Sequence, residues 1–497
     1  MDISIVHIIG IVATIGLILG LGFLSGRKVK DAKTFTTGGN SNSWTVCGVI
    51  MMALVGGQST VGTAQLAFVY GLSAWWFTIG AALGCLLLGL FYNKALRKSG
   101  STTVMEVVRN EYGRKVETLG SILCLIGIFI SIMSQVLASG AMITSLFSMR
   151  YLPAALIAIA LMTSLVVFGG VKSAGASGVV KLILLYVSAI GAGAIVLNLT
   201  REFGFIKTAY NHIAELGPTA IINYDSSHDP ASAIHSQYFS MLARGPLADI
   251  GGCISLMLGV VCTQTYAAGI WCAKSHRAAR RGSLLCTLLV PPIGAACVMV
   301  GIYMRSHYLT EAEVQALAAA GQAIPQGYGI IQNAAQAFPK FILNHMPDWL
   351  GGIVIGTLLI NILSCGSGLA LGASTILVRD VYHNLTAKPF NELRAQRGTI
   401  IALLVIALAV SSTFSGAFIN DLGFLSLGLR ATAVIIPLSC ALFLHSRYSS
   451  HAAMASMIVG TTVLLAAKVL ALPGAPMFYA LAAGLATIAF GRRKAVN

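Results

Sequence analysis

The sequence predicts an all-α polytopic membrane protein with about thirteen transmembrane helices. Three observations carry this. Mean hydropathy is +0.82, with 56% hydrophobic and only 10% charged residues over 497 positions. Apolar runs of about eighteen residues or more recur along the chain, and each is long enough to cross a bilayer as a helix. The 32 Lys and Arg residues fall mostly in alternate loops between those runs.

The apolar runs lie near 4–25, 45–70, 72–93, 117–147, 152–170, 177–198, 247–272, 283–304, 350–378, 399–415, 422–444, 452–472 and 474–491. With the N-terminus outside, the loops at 26–44, 94–116, 171–176, 273–282, 379–398, 445–451 and 492–497 face the cytoplasm and hold 23 of the 32 Lys and Arg residues. The opposite loops hold six, namely Arg150, Arg201, Lys207, Arg244, Arg305 and Lys340. That asymmetry follows the positive-inside rule. It predicts an outside N-terminus and a cytoplasmic C-terminus in a plasma membrane, the inner membrane of a bacterium, and it explains most of the +16 net charge without a nucleic-acid partner. Lys181, Arg430 and Lys468 are left inside apolar spans. An ionisable group at membrane depth is costly and normally faces a cavity or a partner. Lys468 is near enough to its helix end to snorkel.

The first span starts MDISIVH without a basic leader region and runs into Gly26-Arg27-Lys28, so it reads as a retained helix. The second, Met51–Trp76, is long enough to cross a bilayer but is interrupted by Gly56, Gly57, Gln58, Ser59 and Thr60. Such a helix is expected to break. Irregular backbone at membrane depth survives where it is buried in protein or lines a cavity, and its freed amides and carbonyls can hold solutes and ions. A packing interface of small residues fits the same pattern. The third span ends in the basic run Lys94–Lys98, and Thr102 or Thr103 ahead of Glu106 then reads as the N-cap of a short amphipathic cytoplasmic helix. Trp75, Trp76 and Phe77 suit the outer interface.

Two longer segments, 199–245 and 307–346, read as outside loops. The first holds a turn cluster, Asp225-Ser226-Ser227-His228-Asp229-Pro230, and the second is Ala- and Gln-rich from Glu311 and partly helical. All ten cysteines lie within spans and read as small buried apolar residues. No phosphate-binding loop, nucleophile elbow or metal-spaced histidine pair occurs, so the chain is not expected to be an enzyme.

Several motifs, in order and at matching spacing, resemble the sodium:solute symporter family over roughly residues 25–450. They are Gly26-Arg27, the broken helix followed by Tyr70-Gly71-Leu72, the loop from Leu96-Arg97 through Thr103–Gly113, and Gly169-Gly170-Val171-Lys172. Further on come Ala273-Lys274-Ser275, Ser374-Thr375-Ile376 and Asp380-Val381-Tyr382. The resemblance implies a LeuT-type fold of two inverted five-helix repeats with discontinuous first and sixth core helices. The expected organisation is an extra N-terminal helix and loop (1–44), a first repeat (45–198), an outside loop (199–246), a second repeat (247–444), and two C-terminal helices with a basic tail (445–497). The two units start alike: Leu54–Thr60 has a counterpart in Leu258-Gly259-Val260-Val261-Cys262-Thr263-Gln264-Thr265. Paired broken helices point to a midplane site.

In this family one sodium ion sits between carbonyls at the first break and oxygens of the eighth core helix. The resemblance places those positions at Met52 and Val55, and at Asn361, Ser364 and Cys365. A hard cation wants oxygen ligands, and Cys365 offers a soft sulfur where the family has a hydroxyl. The fifth core helix departs too. Gly178 stands where the family usually has an Asp, and Lys181 where it has a Gln. A buried ammonium there would take the cation's place and could load and release a proton. A snorkelling Lys181 fits the sequence equally well. Arg430, on the tenth core helix, carries a planar fork that matches carboxylates.

The expected solute contacts are therefore Gly56, Gly57, Gln58, Ser59, Thr60, Gly259, Thr263, Gln264 and Arg430. The reading is a carrier that imports a small polar solute, anionic or zwitterionic, by alternating access. Its coupling ion is Na+ or H+, or is replaced by Lys181. It needs no cofactor; its expected partners are a small-molecule solute and the lipid bilayer, with no nucleic acid, and the sequence names no protein partner. An ordinary sodium-coupled symporter and a transporter-like membrane sensor remain the other two readings.

Overall fold

The computed structural model describes residues 3–26, 40–147, 149–166, 170–222, 229–319, 321, 323, 325–382, 391–414 and 418–492, with backbone only at 22–26, 166 and 170–177. The helices used below are α1 (Ile5–Gly26), α2 (Ser43–Leu54), α3 (Thr63–Tyr70), α4 (Trp76–Leu87), α5 (Val104–Tyr112), α6 (Arg114–Phe147) and α7 (Tyr151–Val166). They continue with α8 (Gly170–Leu199), α9 (Phe205–Glu215), α10 (Pro230–Tyr238), α11 (Pro246–Cys262), α12 (Gln264–Trp271), α13 (His276–Arg305) and α14 (Glu311–Ala319). The last are α15 (Ala337–His345), α16 (Asp348–Thr375), α17 (Glu392–Ser411), α18 (Ile419–Phe443), α19 (Ser450–Val469) and α20 (Pro476–Phe490). Among the described residues, eight helical runs are long and apolar enough to cross a bilayer, nine with the bent pair α11/α12, and four shorter apolar helices accompany them.

Burial sorts these helices into centre and rim. The most apolar stretch of Asp348–Tyr382 is 94% buried within the protein and that of α18 is 83% buried, against 28% for α17. α16 and α18 therefore form the inner wall, while α17 shows most of its apolar surface to lipid. Small residues let the backbones approach. A Cβ on Gly10 would lie 2.8 Å from Gly352 of α16, and one on Gly178 of α8 would lie 2.5 Å from the Gly48 carbonyl of α2. Gly71 is needed for its conformation as well: its φ is +57°, and a Cβ would fall 1.9 Å from the Tyr238 carbonyl.

Local signals explain the helix ends. The α5 cap is reciprocal, as the Thr103/Glu106 spacing predicts: the Glu106 amide donates to Thr103 Oγ1 at 3.0 Å, and the Thr102 amide donates to the Glu106 carboxylate at 2.6 Å. Ser275 and Ser449 cap α13 and α19 in the same manner. Beyond the apolar run that closes near 93, the third span continues helically through Asn93–Lys98 and ends in the basic run, as the sequence predicts. Arg97 folds back onto the Ile270 and Ala273 carbonyls at 2.9 and 2.8 Å, which draws the basic turn into the protein. The expected loop at 26–44 lies largely outside the described residues, as do the tail from 493 and the turn residues 225–228; residues 383–390 of the loop 379–398, and Gly169, fall outside them too.

The segments 199–245 and 307–346 form a layer over one end of the bundle, built from α9, α10, α14, α15 and a two-stranded parallel ribbon, Tyr308–Thr310 with Gly329–Ile331. Trp75 and Trp76 tie into this end by donating to the carbonyls of Pro291 and Met241 at 2.9 and 2.6 Å. Arg305 binds Glu313 at 2.8 Å and Tyr238 at 3.1 Å. Beside it, His307 stacks on Tyr303 at 4.4 Å and lies 4.8 Å from the His212 ring, while His345 meets Tyr303 edge-on at 5.2 Å.

Burial holds the pKa of His307 below the usual histidine value; His212 adds to this, while the Tyr303 carbonyl and Glu215 oppose it. His345 is lowered by burial and by His307. Both are neutral in the packed layer but protonate at about 6.5 when released. The stability they contribute is thus present above about pH 6.5 and is lost as pH falls through that value toward their lower folded values. Hydrogen exchange, corrected for intrinsic rates, should show residues 205–215 and 307–331 losing protection between about pH 7.5 and 5.5. Protection unchanged across that range would refute the assignment.

Candidate functional site

Two helices are broken. α2 ends at Leu54; Val55 turns extended with φ −101° and ψ 97°, and a π-helical turn, Gln58–Gly62, leads into α3. The second break falls at Thr263, with φ −92° and ψ 122°, where α11 and α12 meet at a bend of 50°. Both breaks are buried against α6, α16 and α18.

At the first break the predicted residues divide into two groups. Ser59 donates to the Leu54 carbonyl at 3.1 Å and Thr60 to the Gly56 carbonyl at 2.9 Å, so these hydroxyls satisfy the backbone that the break frees. Gly56 and Gly57 allow close approach, since Cβ atoms there would lie 2.4 Å from the Cβ atoms of Cys365 and Ala138. The Gly57 amide donates to Gln135 Oε1 at 2.7 Å and Gln58 donates to Ser134 Oγ at 2.6 Å, both on α6.

Lys181, only 3% exposed, comes to this break from α8. Its Nζ donates to the Met52 carbonyl at 3.0 Å and to the Asn361 carbonyl of α16 at 3.3 Å. Cys365 Sγ donates to the Ala53 carbonyl at 2.9 Å, and Ser364 donates within its own helix to the Asn361 carbonyl at 3.2 Å. The Met52 and Asn361 carbonyls, at positions that the resemblance assigns to an ion, here accept from Lys181 Nζ. The Gly178 contact with Gly48 explains the reach: an Asp at 178 would push α8 off α2.

At the second break Thr263 Oγ1 donates to the Gly259 carbonyl at 2.6 Å and accepts from Arg430 Nη1 at 2.9 Å. Arg430 is fully buried; its Nη2 donates to Ser131 and Ser426 hydroxyls at 2.8 and 2.7 Å, and its Nε to the Ser426 carbonyl at 3.1 Å. Gly259 serves packing, because a Cβ there would lie 2.6 Å from the Leu427 carbonyl. Gln264 turns away from this group. Its amide accepts from the Val104 amide at 2.9 Å and donates to the Thr102 carbonyl at 3.1 Å, which anchors the start of α5 instead of offering hydrogen bonds at the break.

The sequence reading missed the α6 face Ser131, Ser134, Gln135 and Ser139, each at most 2% exposed. Their spacing of three, four and eight residues in an apolar helix was the available signal. Tyr266, which donates to the Ala53 carbonyl at 3.4 Å, also links the two breaks. Three buried groups near them, Gln135 Nε2, both side-chain amide atoms of Asn361, and Asn420 Oδ1, have no hydrogen-bond partner among the described residues. Buried polar atoms are rarely left so. Among the described residues no cluster of three His, Cys, Asp or Glu side chains could hold a metal ion.

Two broken helices, with a packed wall of α6, α16 and α18 around both breaks, are the arrangement of a LeuT-type secondary transporter. Residues 35–460 match the model of the sodium:solute symporter family, and the chain belongs to that family. It is 22% identical to an uncharacterized symporter, YwcA, of Bacillus subtilis (strain 168) over 90% of this chain and 83% of that protein. It is 24% identical to high-affinity choline transporter 1 of Torpedo marmorata, over 76% of this chain and 62% of that one. Among solved structures, a Na+-coupled sialic acid symporter in a substrate-bound outward-open state aligns with a TM-score of 0.74 at 16% identity, covering 99% of this chain and 97% of that one. The nucleobase-cation-symport-1 transporter MHP1 aligns with a TM-score of 0.53 at 12% identity, over 93% and 94%.

Proposed function

We propose that the chain imports a small anionic or zwitterionic organic solute by alternating access, and that Lys181 occupies the place of the coupling sodium. The observation that carries the reading is the pair of buried cations, one at each break. Their hydrogen bonds among the described residues go to carbonyls and hydroxyls and to no carboxylate. An uncompensated buried charge is costly, and a carboxylate-bearing solute relieves that cost. The solved relative transports an acid, sialic acid, which suits such a site. Choline, named for the Torpedo relative, is a cation and does not.

The proposed polar contacts are the Arg430 guanidinium, Gln58 with its α6 partners Ser134 and Gln135, and the unpartnered amide of Asn361. Gly56, Gly57, Gly259 and Thr263 shape the breaks, and Ser59 and Thr60 cap them. Sodium fits poorly where an ammonium already fills the Met52 and Asn361 carbonyls and Cys365 supplies sulfur. Proton coupling through Lys181, or passive equilibration, takes its place. The loop charges orient the protein with its N-terminus outside and C-terminus in the cytoplasm of a bacterial inner membrane.

Uptake of a mixed panel of labelled organic acids, amino acids and sugars into proteoliposomes, under an imposed sodium gradient, proton gradient or none, tests this. The expected result is acid or amino-acid uptake that follows the proton gradient or equilibrates without one. Accumulation that requires sodium would overturn the ion assignment, and preference for a neutral sugar would overturn the solute class.

A further inference from the structure

The end of the bundle that carries Lys274 has a cleft of about 660 Å³ between the start of α2 and the first turns of α13. Its floor is basic and its wall apolar. Lys274, Arg277 and Arg281 line it with Trp44, and Leu284 and Leu288 extend it along α13; no acidic residue is among its lining. Arg277, Arg281, Leu284 and Leu288 stand four, seven and eleven residues apart, so they share one helix face that changes from cationic to apolar along its length. Leu288 is 72% exposed and Trp44 is 56% exposed, and no hydrogen bond or ion pair among the described residues engages the side chains of the three cations.

We propose that this cleft binds an anionic phospholipid, its phosphodiester between Lys274, Arg277 and Arg281, its glycerol level at Trp44, and an acyl chain along Leu284 and Leu288. The geometry matches the ligand at each level. Cationic side chains gather at the headgroup plane, an indole prefers the interface, and an exposed leucine stripe belongs in hydrocarbon. From Arg281 to Leu288 the helix rises about 10 Å, which carries the face from headgroup depth well into the acyl region. Charge argues against the chain's own 27–39 segment as occupant, since it holds Arg27, Lys28, Lys30 and Lys33 against the single acid Asp31. The inference depends only on the helices spanning a bilayer and stands apart from the identity of the solute or coupling ion.

Phosphatidylglycerol titrated into the detergent-solubilised full-length protein, read by native mass spectrometry and thermal unfolding, tests it against phosphatidylcholine and inorganic phosphate. Retained phosphatidylglycerol with a raised unfolding temperature, and neither effect from the two comparators, is expected. Arg277→Gln with Arg281→Gln should weaken that binding about tenfold or more, while Lys340→Gln should leave it unchanged. A Trp44→Ala variant, which keeps the charges, should bind more weakly but still prefer the anionic lipid. Equal binding of phosphatidylcholine, an equal shift from inorganic phosphate, or undiminished binding by the double variant would each overturn the proposal.

Discussion

Replacing Lys181 by Gln is expected to cut uptake at least about tenfold and to flatten its dependence on pH. The Lys181 Nζ bridges the Met52 and Asn361 carbonyls at 3.0 and 3.3 Å, and so joins α8 to the broken helix and to α16. If it carries the coupling proton, an amide of similar length preserves part of the contact but cannot titrate. Charge alternation at the break, the step that would bias outward and inward states, is then lost. If Lys181 only fills space, Gln should serve as well and uptake should keep its pH profile; that result would end the proposal. The variant also isolates the sodium question. Loss of the ammonium leaves Met52, Asn361 and the Ser364 hydroxyl for an ion, but Gly178 cannot be returned to Asp, because its Cβ would lie 2.5 Å from the Gly48 carbonyl. Uptake by Lys181→Gln is therefore expected to remain insensitive to sodium.

Much of this architecture is legible before any coordinates. Hydropathy marks helices, because a bilayer forces every backbone amide and carbonyl into internal hydrogen bonds. Gly56-Gly57-Gln58 and Gly259 through Gln264 mark the breaks by clustering residues that leave a helix easily. What composition does not reveal is direction. Gln264 and Gln58 look alike as polar residues near a break, yet the first bonds Thr102 and Val104 and the second bonds Ser134. Gln264 directly follows the break at Thr263, yet its side chain reaches the start of α5, and only the packed neighbours decide which way such a group turns. Ser59 and Thr60 were legible as polar and illegible as caps for the same reason. Lys181 lay at the opposite extreme. Its sequence position allowed both a snorkelling and a buried side chain, and the close contact of Gly178 with Gly48 is what draws it inward.

Arg430→Met is expected to abolish saturable uptake of a carboxylate solute while leaving the protein folded, and Arg430→Lys to retain only a small fraction of it. The hydroxyls around the guanidinium have other hydrogen-bond partners. Ser426 also donates to the Gly127 carbonyl, Ser131 pairs with Ser426 at 2.6 Å, and Thr263 donates to the Gly259 carbonyl at 2.6 Å. Each keeps a partner when the arginine is removed. The usual cost of an orphaned buried hydroxyl therefore does not arise, and replacing a buried ion by an apolar chain of similar length is often neutral for stability. Function should respond differently. A charge-assisted bond to a carboxylate contributes about 1.5–3 kcal/mol, so its loss raises the concentration for half-maximal uptake about tenfold to a hundredfold, beyond the range of most uptake assays. Lysine restores charge but not the planar fork. Thermal unfolding measured beside uptake separates the two roles. A stable, monodisperse Arg430→Met protein without carboxylate uptake places the guanidinium at the solute. Uptake that falls only in proportion to stability would make Arg430 a strut between α6, α18 and the second break, and would remove the main argument for an anionic solute.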